Sequence, residues 1–158
     1  MNTTASQETS GLTEEAIVDV VRRAFPEGVT IGGVAPRRIF ARADRAIIYK
    51  LCEFLKNQLR FEHVSCVTGV DRIDRFQVVY HLSSYENRCV LEITVDIPRD
   101  DPEIDSVSPL WGGANWHERE TYDMFGIRFK NHPRLERIFL PEDTQFFPFR
   151  KDFKLGRQ

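Results

Sequence analysis

Three stretches of two-residue period between residues 63 and 98 constrain the fold of this chain more than any other feature. Val64, Cys66, Thr68 and Val70 alternate with His63, Ser65, Val67 and Gly69. Phe76 to Leu82 and Arg88 to Ile97 repeat the pattern. Asp71-Arg72-Ile73-Asp74 and Ser83-Ser84-Tyr85-Glu86-Asn87 separate the runs and are short and polar. Strands joined this closely pair antiparallel, because a parallel pair needs a long crossover. The centre of the chain is therefore expected to be a β-meander.

Helical periods precede it. Thr13 stands before Glu14 and Glu15 and the apolar set Ile17, Val20, Val21 and Ala24, a capped helix closed by Pro26 and Gly28. After Gly32-Gly33 and an apolar piece near Ile39-Phe40-Ala41, Asp44 is a candidate cap for a second helix reaching about Arg60. Ile47, Ile48, Leu51, Phe54, Leu55 and Leu59 recur on it at helical spacing. Two helices before a meander predict an α+β architecture with the helices on one face of the sheet. Residues 96–105 carry five acids and one arginine and read as a solvated loop. Ser108-Pro109 opens a third helix, which runs through Met124 to a stop at Gly126. The division is then a disordered tail over residues 1–11, an α+β domain over 12–126, and an extended partner-binding segment over 127–158.

The composition excludes several classes. Lysines and arginines number 22 against 24 acids, a formal charge of −2, so no general phosphate-binding face is expected. No run approaches the ~20 apolar residues of a membrane span. Met1 to Gln7 is polar and lacks the apolar core of a signal peptide, so a cytosolic location is expected, with any membrane association held by another protein. Cys52, Cys66 and Cys89 are far apart and odd in number, which argues against a disulfide framework. No C-x-x-C, G-x-G-x-x-G or P-loop pattern occurs, so neither a zinc ribbon, a self-contained iron–sulfur cluster nor a nucleotide site is expected.

The last third carries the functional signal. Ten of the eighteen aromatic residues lie between Trp111 and Phe153. Phe146, Phe147, Phe149 and Phe153 crowd a proline-broken stretch that also holds Arg150, Lys151 and Asp152. Irregular backbone needs a surface on which to satisfy its hydrogen bonds, and aromatic and arginine anchors are what tight interfaces use. Two readings stand: the aromatics fasten the segment to its own domain, or to a partner.

The run Trp116 to Asp123 gathers His117, Glu118, Arg119, Glu120 and Asp123 within two turns. His117-Glu118 lacks a second histidine four residues on, so the zincin pattern fails. Glu118, Glu120 and Asp123 could pair with Arg128, Arg134, Arg137, Arg150 and Lys151, or act with His132 in a free-standing hydrolase. His132 before Pro133 has no second ligand at metal spacing and reads as a turn residue. A single-partner binding module is the third alternative.

The stretch Trp116-His117-Glu118-Arg119-Glu120-Thr121-Tyr122-Asp123-Met124-Phe125-Gly126-Ile127, with His132-Pro133-Arg134-Leu135, Arg137-Ile138-Phe139-Leu140-Pro141-Glu142-Asp143 and Pro148-Phe149-Arg150-Lys151-Asp152-Phe153, resembles the signature of the C, or thirty-kilodalton, subunit of respiratory complex I. The likeness extends loosely upstream to about residue 45. It implies a non-catalytic subunit of the peripheral arm, on the cytoplasmic side of the membrane beside the quinone-pocket subunit. Iron–sulfur clusters and flavin would sit on partner subunits and no cofactor in this chain. It also implies an interface role for Trp116, Glu118, Arg119, Glu120, Asp123, Arg128, His132, Arg134, Arg137, Phe146, Phe147, Phe149, Arg150, Lys151, Asp152 and Phe153. Family members usually show Asp-Trp and then Gly-His before the final Pro-Leu-Arg-Lys-Asp. Here the stretch reads Asp143-Thr144-Gln145-Phe146-Phe147-Pro148-Phe149, so a more apolar contact is expected. The short form, ending soon after the motif and not fused to the quinone-pocket subunit, leans towards the archaeal enzyme that oxidises reduced coenzyme F(420).

Overall fold

The structure, a computed structural model, describes residues 11–154 and 156. The expected tail over residues 1–11 therefore lies outside the described residues except for Gly11, which packs on the main chain of Glu86 and Asn87.

Helix α1 spans Glu14–Ala24, and the Thr13 hydroxyl accepts from the Ala16 N–H. Strands β1 (Val29–Ala35) and β2 (Arg38–Ala43) follow as a hairpin. Helix α2 spans Ile48–Leu59 and starts later than the sequence suggests: Ile47 is its N-cap and no side chain caps it. Asp44 instead accepts the Ile47 N–H through its carbonyl. Arg60, at φ 57°, ends the helix in the left-handed region.

The meander is present as β3 (His63–Asp71), β4 (Arg75–Ser84) and β5 (Cys89–Pro98), paired antiparallel. A bulge between Val64 and Cys66 resets the alternation, so Val64 and Val67 are buried while Cys66 is not. The sheet order is β1-β2-β5-β4-β3, with β2 and β5 parallel. Its apolar face carries Ile39, Ala41, Phe76, Val78, Tyr80, Leu82, Leu91, Ile93 and Val95, all buried. Against it lie Ile17, Val18 and Val21 of α1 and Ile48, Leu51, Cys52, Leu55 and Leu59 of α2. The opposite face is polar, with His81 and Glu92 3.2 Å apart and Arg42, Arg75 and Gln77 gathered on Asp96.

Two elements were not apparent in the acid-rich stretch and beyond Gly126. Strand β6 (Glu103–Asp105) pairs in parallel with β7 (Arg128–Lys130), burying Ile104, Ile127 and Phe129. Residues 103–105 are therefore strand, and the packed core continues past Gly126. Between the two strands lies helix α3, Ala114–Phe125. The expected first turns from Ser108 are a chain of tight turns instead, in which Trp111 is buried and donates through Nε1 to the Phe61 carbonyl.

Helix α3 lies along β3. Gly69 leaves room there: a Cβ would sit 2.7 Å from the Phe125 ring. The helix ends at Gly126, φ 74°, whose N–H bonds to the Tyr122 carbonyl. From Asn131 to Lys154 the described chain forms no helix or strand.

Candidate functional site

Residues 116, 119 and 123 fall on one stripe of α3, and the C-terminal segment crosses that stripe. Asp123 holds it. One carboxylate oxygen is 2.7 Å from Arg137 Nη1. The other accepts the N–H groups of Ile138, Phe139 and Leu140 at 3.0, 2.7 and 3.1 Å. Arg137 also donates to the carbonyls of Asp123 and Thr144, at 3.0 and 2.8 Å, and covers the Phe147 ring. Burial alone would raise the Asp123 carboxyl, but these donors outweigh it and hold it below the usual range.

Asp71, at the end of β3, is a second anchor. It accepts from Ile73 N–H, from Arg99 Nη1 at 2.8 Å and from Lys151 N–H at 2.9 Å. Its carboxyl is likewise held low by these bonds against the opposing effect of burial. Arg99 reaches on to Asp152 at 3.0 Å. Arg150 lies between the Phe76 and Phe147 rings, 5.1 and 4.5 Å from their centroids, and donates to the Phe125 carbonyl at 2.7 Å. From sequence Asp71 had only a turn position and a place in the looser upstream family likeness, and Arg99 had no role, because Asp71 meets the segment through the main chain of Lys151, which leaves no charge pattern to read.

The remaining site residues separate. Glu118 is fully buried without an arginine: Ser106 Oγ donates to it at 2.5 Å and Val107 N–H at 2.7 Å. Burial raises its carboxyl to about 7, against the lowering effect of these bonds and of Ser108 N–H. Glu120 is exposed, with no hydrogen bond or ion pair among the described residues. Arg128 meets Glu103 at 2.6 Å and Arg134 meets Glu136 at 2.7 Å. Arg119 donates to the Glu136 carbonyl and lies over the Trp116 ring. Of the proposed carboxylate–arginine pairs on the motif helix, only Asp123–Arg137 forms among the described residues. The pairing fails at Glu118 because a hydroxyl and a backbone amide fill its oxygens, and at Glu120 because it stands exposed to solvent.

His132 is a turn residue. Its Nδ1 accepts Arg134 N–H at 3.0 Å and its Nε2 faces the Asn115 carbonyl at 3.2 Å, so both ring nitrogens are engaged by main chain. The groups of the hydrolase reading do not line a common cleft. Glu118 and His132 approach to 3.8 Å but have no exposed side-chain surface. The oxygens of Asp123 are filled by donors. Among the described residues no three His, Cys, Asp or Glu side chains gather as a metal site.

Outward, the same region presents Trp116, Phe139, Phe146 and Phe149, with 62%, 65%, 45% and 58% of their surface exposed. Phe146 stacks on Phe153 at 4.9 Å, and Phe149 meets Phe125 edge-on.

The α+β core, with its motif helix strapped by its own C-terminal segment, is that of a subunit of respiratory oxidoreductase complexes. The family described as respiratory-chain NADH dehydrogenase, thirty-kilodalton subunit, matches residues 41–158, and the chain belongs to it. The C subunit of the F(420)H(2) dehydrogenase of Methanosarcina mazei is 42% identical over 87% of this chain and 90% of its own length. The C subunit of the NADH-quinone oxidoreductase of Roseiflexus sp. strain RS-1 is 40% identical over 93% of this chain and 87% of its own. Among solved structures, a trypsin-resistant fragment of Nqo5 superposes with a TM-score of 0.65 at 29% identity, covering 77% of this chain and 98% of that one. A chain of the membrane-bound sulfane sulfur reductase, an archaeal respiratory membrane complex, shares the fold at a TM-score of 0.79 and 24% identity, covering 89% and 85%. The chain is a subunit of a complex I-type oxidoreductase. No described helix is long and apolar enough to cross a membrane.

Proposed function

We propose that this chain is a non-catalytic structural subunit of the peripheral arm, docking beside the quinone-pocket subunit and the iron–sulfur subunits. It would carry no cofactor of its own and sit on the cytoplasmic side, held to the membrane by the complex. Electrons would pass on the partner subunits from NADH or reduced F(420) to a quinone or phenazine.

One observation carries this reading. Trp116, Phe139, Phe146 and Phe149 stay exposed while the segment bearing three of them is pinned by buried Asp123 and Asp71. Exposed aromatics on a fixed frame are hot-spot material, since little side-chain and loop ordering remains for binding to supply. In this reading the exposed aromatics face the partner, while Asp123, Arg137, Arg150 and Lys151 serve the frame.

Hydroxyl-radical footprinting of the isolated chain against the intact complex tests it. Protection of Trp116, Phe139, Phe146 and Phe149 in the complex is expected. Equal oxidation of all four in both states would refute the docking face.

A further inference from the structure

Glu118 does nothing in the docking account, yet it is the one completely buried glutamate among the described residues. Among the described residues no arginine or lysine lies at ion-pair distance from it. Its immediate hydrogen-bond partners are a hydroxyl and main-chain amides, and His132 Nε2 lies 3.8 Å from Oε2. Ser106 Oγ donates to Oε2, Val107 N–H donates to Oε1, and Ser106 Oγ in turn lies 2.7 Å from Ser108 Oγ and accepts Ser108 N–H at 3.1 Å. Hydroxyls can donate or accept, so this chain can run in either direction.

We propose that Glu118, Ser106 and Ser108 form a buried proton-binding site, in which the carboxyl takes up a proton and the two hydroxyls reverse. With Glu118 ionised, Ser108 Oγ–H donates to Ser106 Oγ and Ser106 Oγ–H donates to the carboxylate. With Glu118 protonated, its O–H donates to Ser106 Oγ and Ser106 donates to Ser108. Val107 N–H stays on Oε1 throughout. One proton is gained; the carboxyl and the Ser106 hydroxyl stay bonded in both states, while the Ser108 hydroxyl changes from donor to acceptor. A buried carboxylate built for a fixed charge would hold a guanidinium, as Asp123 does.

The other groups around the site leave the proton to Glu118. Cys52 on α2 is fully buried and its thiol is pushed well above its usual range, mainly by burial. Tyr80 on β4 is raised by burial and stays a phenol. Asp105 on β6 pairs with Lys130. His132 lies 3.8 Å away and Arg119 lies near it; burial lowers His132, and its Nδ1 is occupied by Arg134 N–H. Burial places Glu118 at about 7, inside the range in which a protein's surroundings vary. A surface cavity of about 360 Å³, lined by Tyr49, Lys50, Asp105 and Asn131, reaches Ser106, the middle member of the trio.

The sign follows from linkage. The folded carboxyl binds its proton more tightly than the unfolded one, so its contribution is complete below about pH 4.3 and is lost as pH rises through about 7. Glu118→Gln mimics the protonated acid. The ratio of its folding constant to that of the natural chain should therefore rise on the order of a hundredfold between pH 4.5 and pH 8.

The direct readout is isotope-edited NMR of glutamate carboxyl carbons in the full-length chain. One resonance titrating near 7, absent in Glu118→Gln, is expected. Should that variant fail to fold, Ser106→Ala supplies the assignment: losing a donor to the carboxylate should move this one midpoint upward. Titration of every glutamate below about pH 5.5, or persistence of the high midpoint in Glu118→Gln, would overturn the proposal.

Discussion

Asp123 is where a single side chain does most for this fold. It satisfies three main-chain N–H groups and a nearly buried guanidinium at once. Asp123→Ala removes all four bonds and strands Arg137, which should destabilise the chain by about 3–5 kcal/mol. Asp123→Asn keeps an acceptor and should cost less. Chemical denaturation of the isolated chain checks both. Glu120→Ala, on the same helix but at an exposed position, should shift stability by no more than about 0.5 kcal/mol. Asp123 and Asp71 are both held below their ordinary value. Their stabilisation is complete above the unfolded value, about 3.9, and is lost as pH falls through the lower folded value. Acid titration should therefore release the C-terminal segment below about pH 4, with Trp116 fluorescence changing first. The charge pairing of Asp123 with a nearby arginine was legible from composition. Its bonds to residues 138–140 were not, since backbone donors have no sequence signal.

At the scale of elements, the meander was readable from its alternating runs and short polar turns, despite the bulge in β3, and α1 from its period and its Thr13 cap. The β1–β2 hairpin was not. Gly32 and Gly33 sit at a bulge that shifts the register of β1 and leave two adjacent positions without a side chain to read, and the turn uses Arg37 at φ 61°, where glycine or asparagine would have signalled it. The β6–β7 pair escaped because three-residue strands with charged flanks look like loop. Gly126 was read as a helix stop, and it does more than stop the helix. A Cβ there would lie 2.6 Å from the Arg150 guanidinium and 2.7 Å from the Phe147 ring. Gly126→Ala thus combines a left-handed φ, worth about 1–2 kcal/mol, with displacement of the Arg150 clasp. Loss of more than the backbone strain alone, together with faster proteolysis beyond residue 140, is the expected outcome. A change confined to about 1 kcal/mol, with unaltered proteolysis, would show that the clasp tolerates the shift.

For the whole molecule, the aromatic and basic residues of the C-terminal segment divide into those that pack inward and those that stay exposed. Arg137, Phe147, Arg150 and the Lys151 main chain fasten the segment to its own domain. Trp116, Phe139, Phe146 and Phe149 face outward from it. With the frame made internally and the exposed aromatics as its proposed anchors for another subunit, stability and assembly should be separable. The measurement that tests this most directly is the triple change Trp116→Ala, Phe139→Ala and Phe149→Ala in a tagged chain expressed in its native complex. Thermal unfolding of the isolated variant is compared with recovery of co-purifying iron–sulfur subunits. The unfolding free energy should stay within about 1–2 kcal/mol of that of the natural chain, because all three side chains are largely exposed. Recovered partners should fall at least tenfold, since hot-spot anchors carry about 2 kcal/mol or more each. Full recovery of the complex with the triple variant would contradict the separation of frame from anchors.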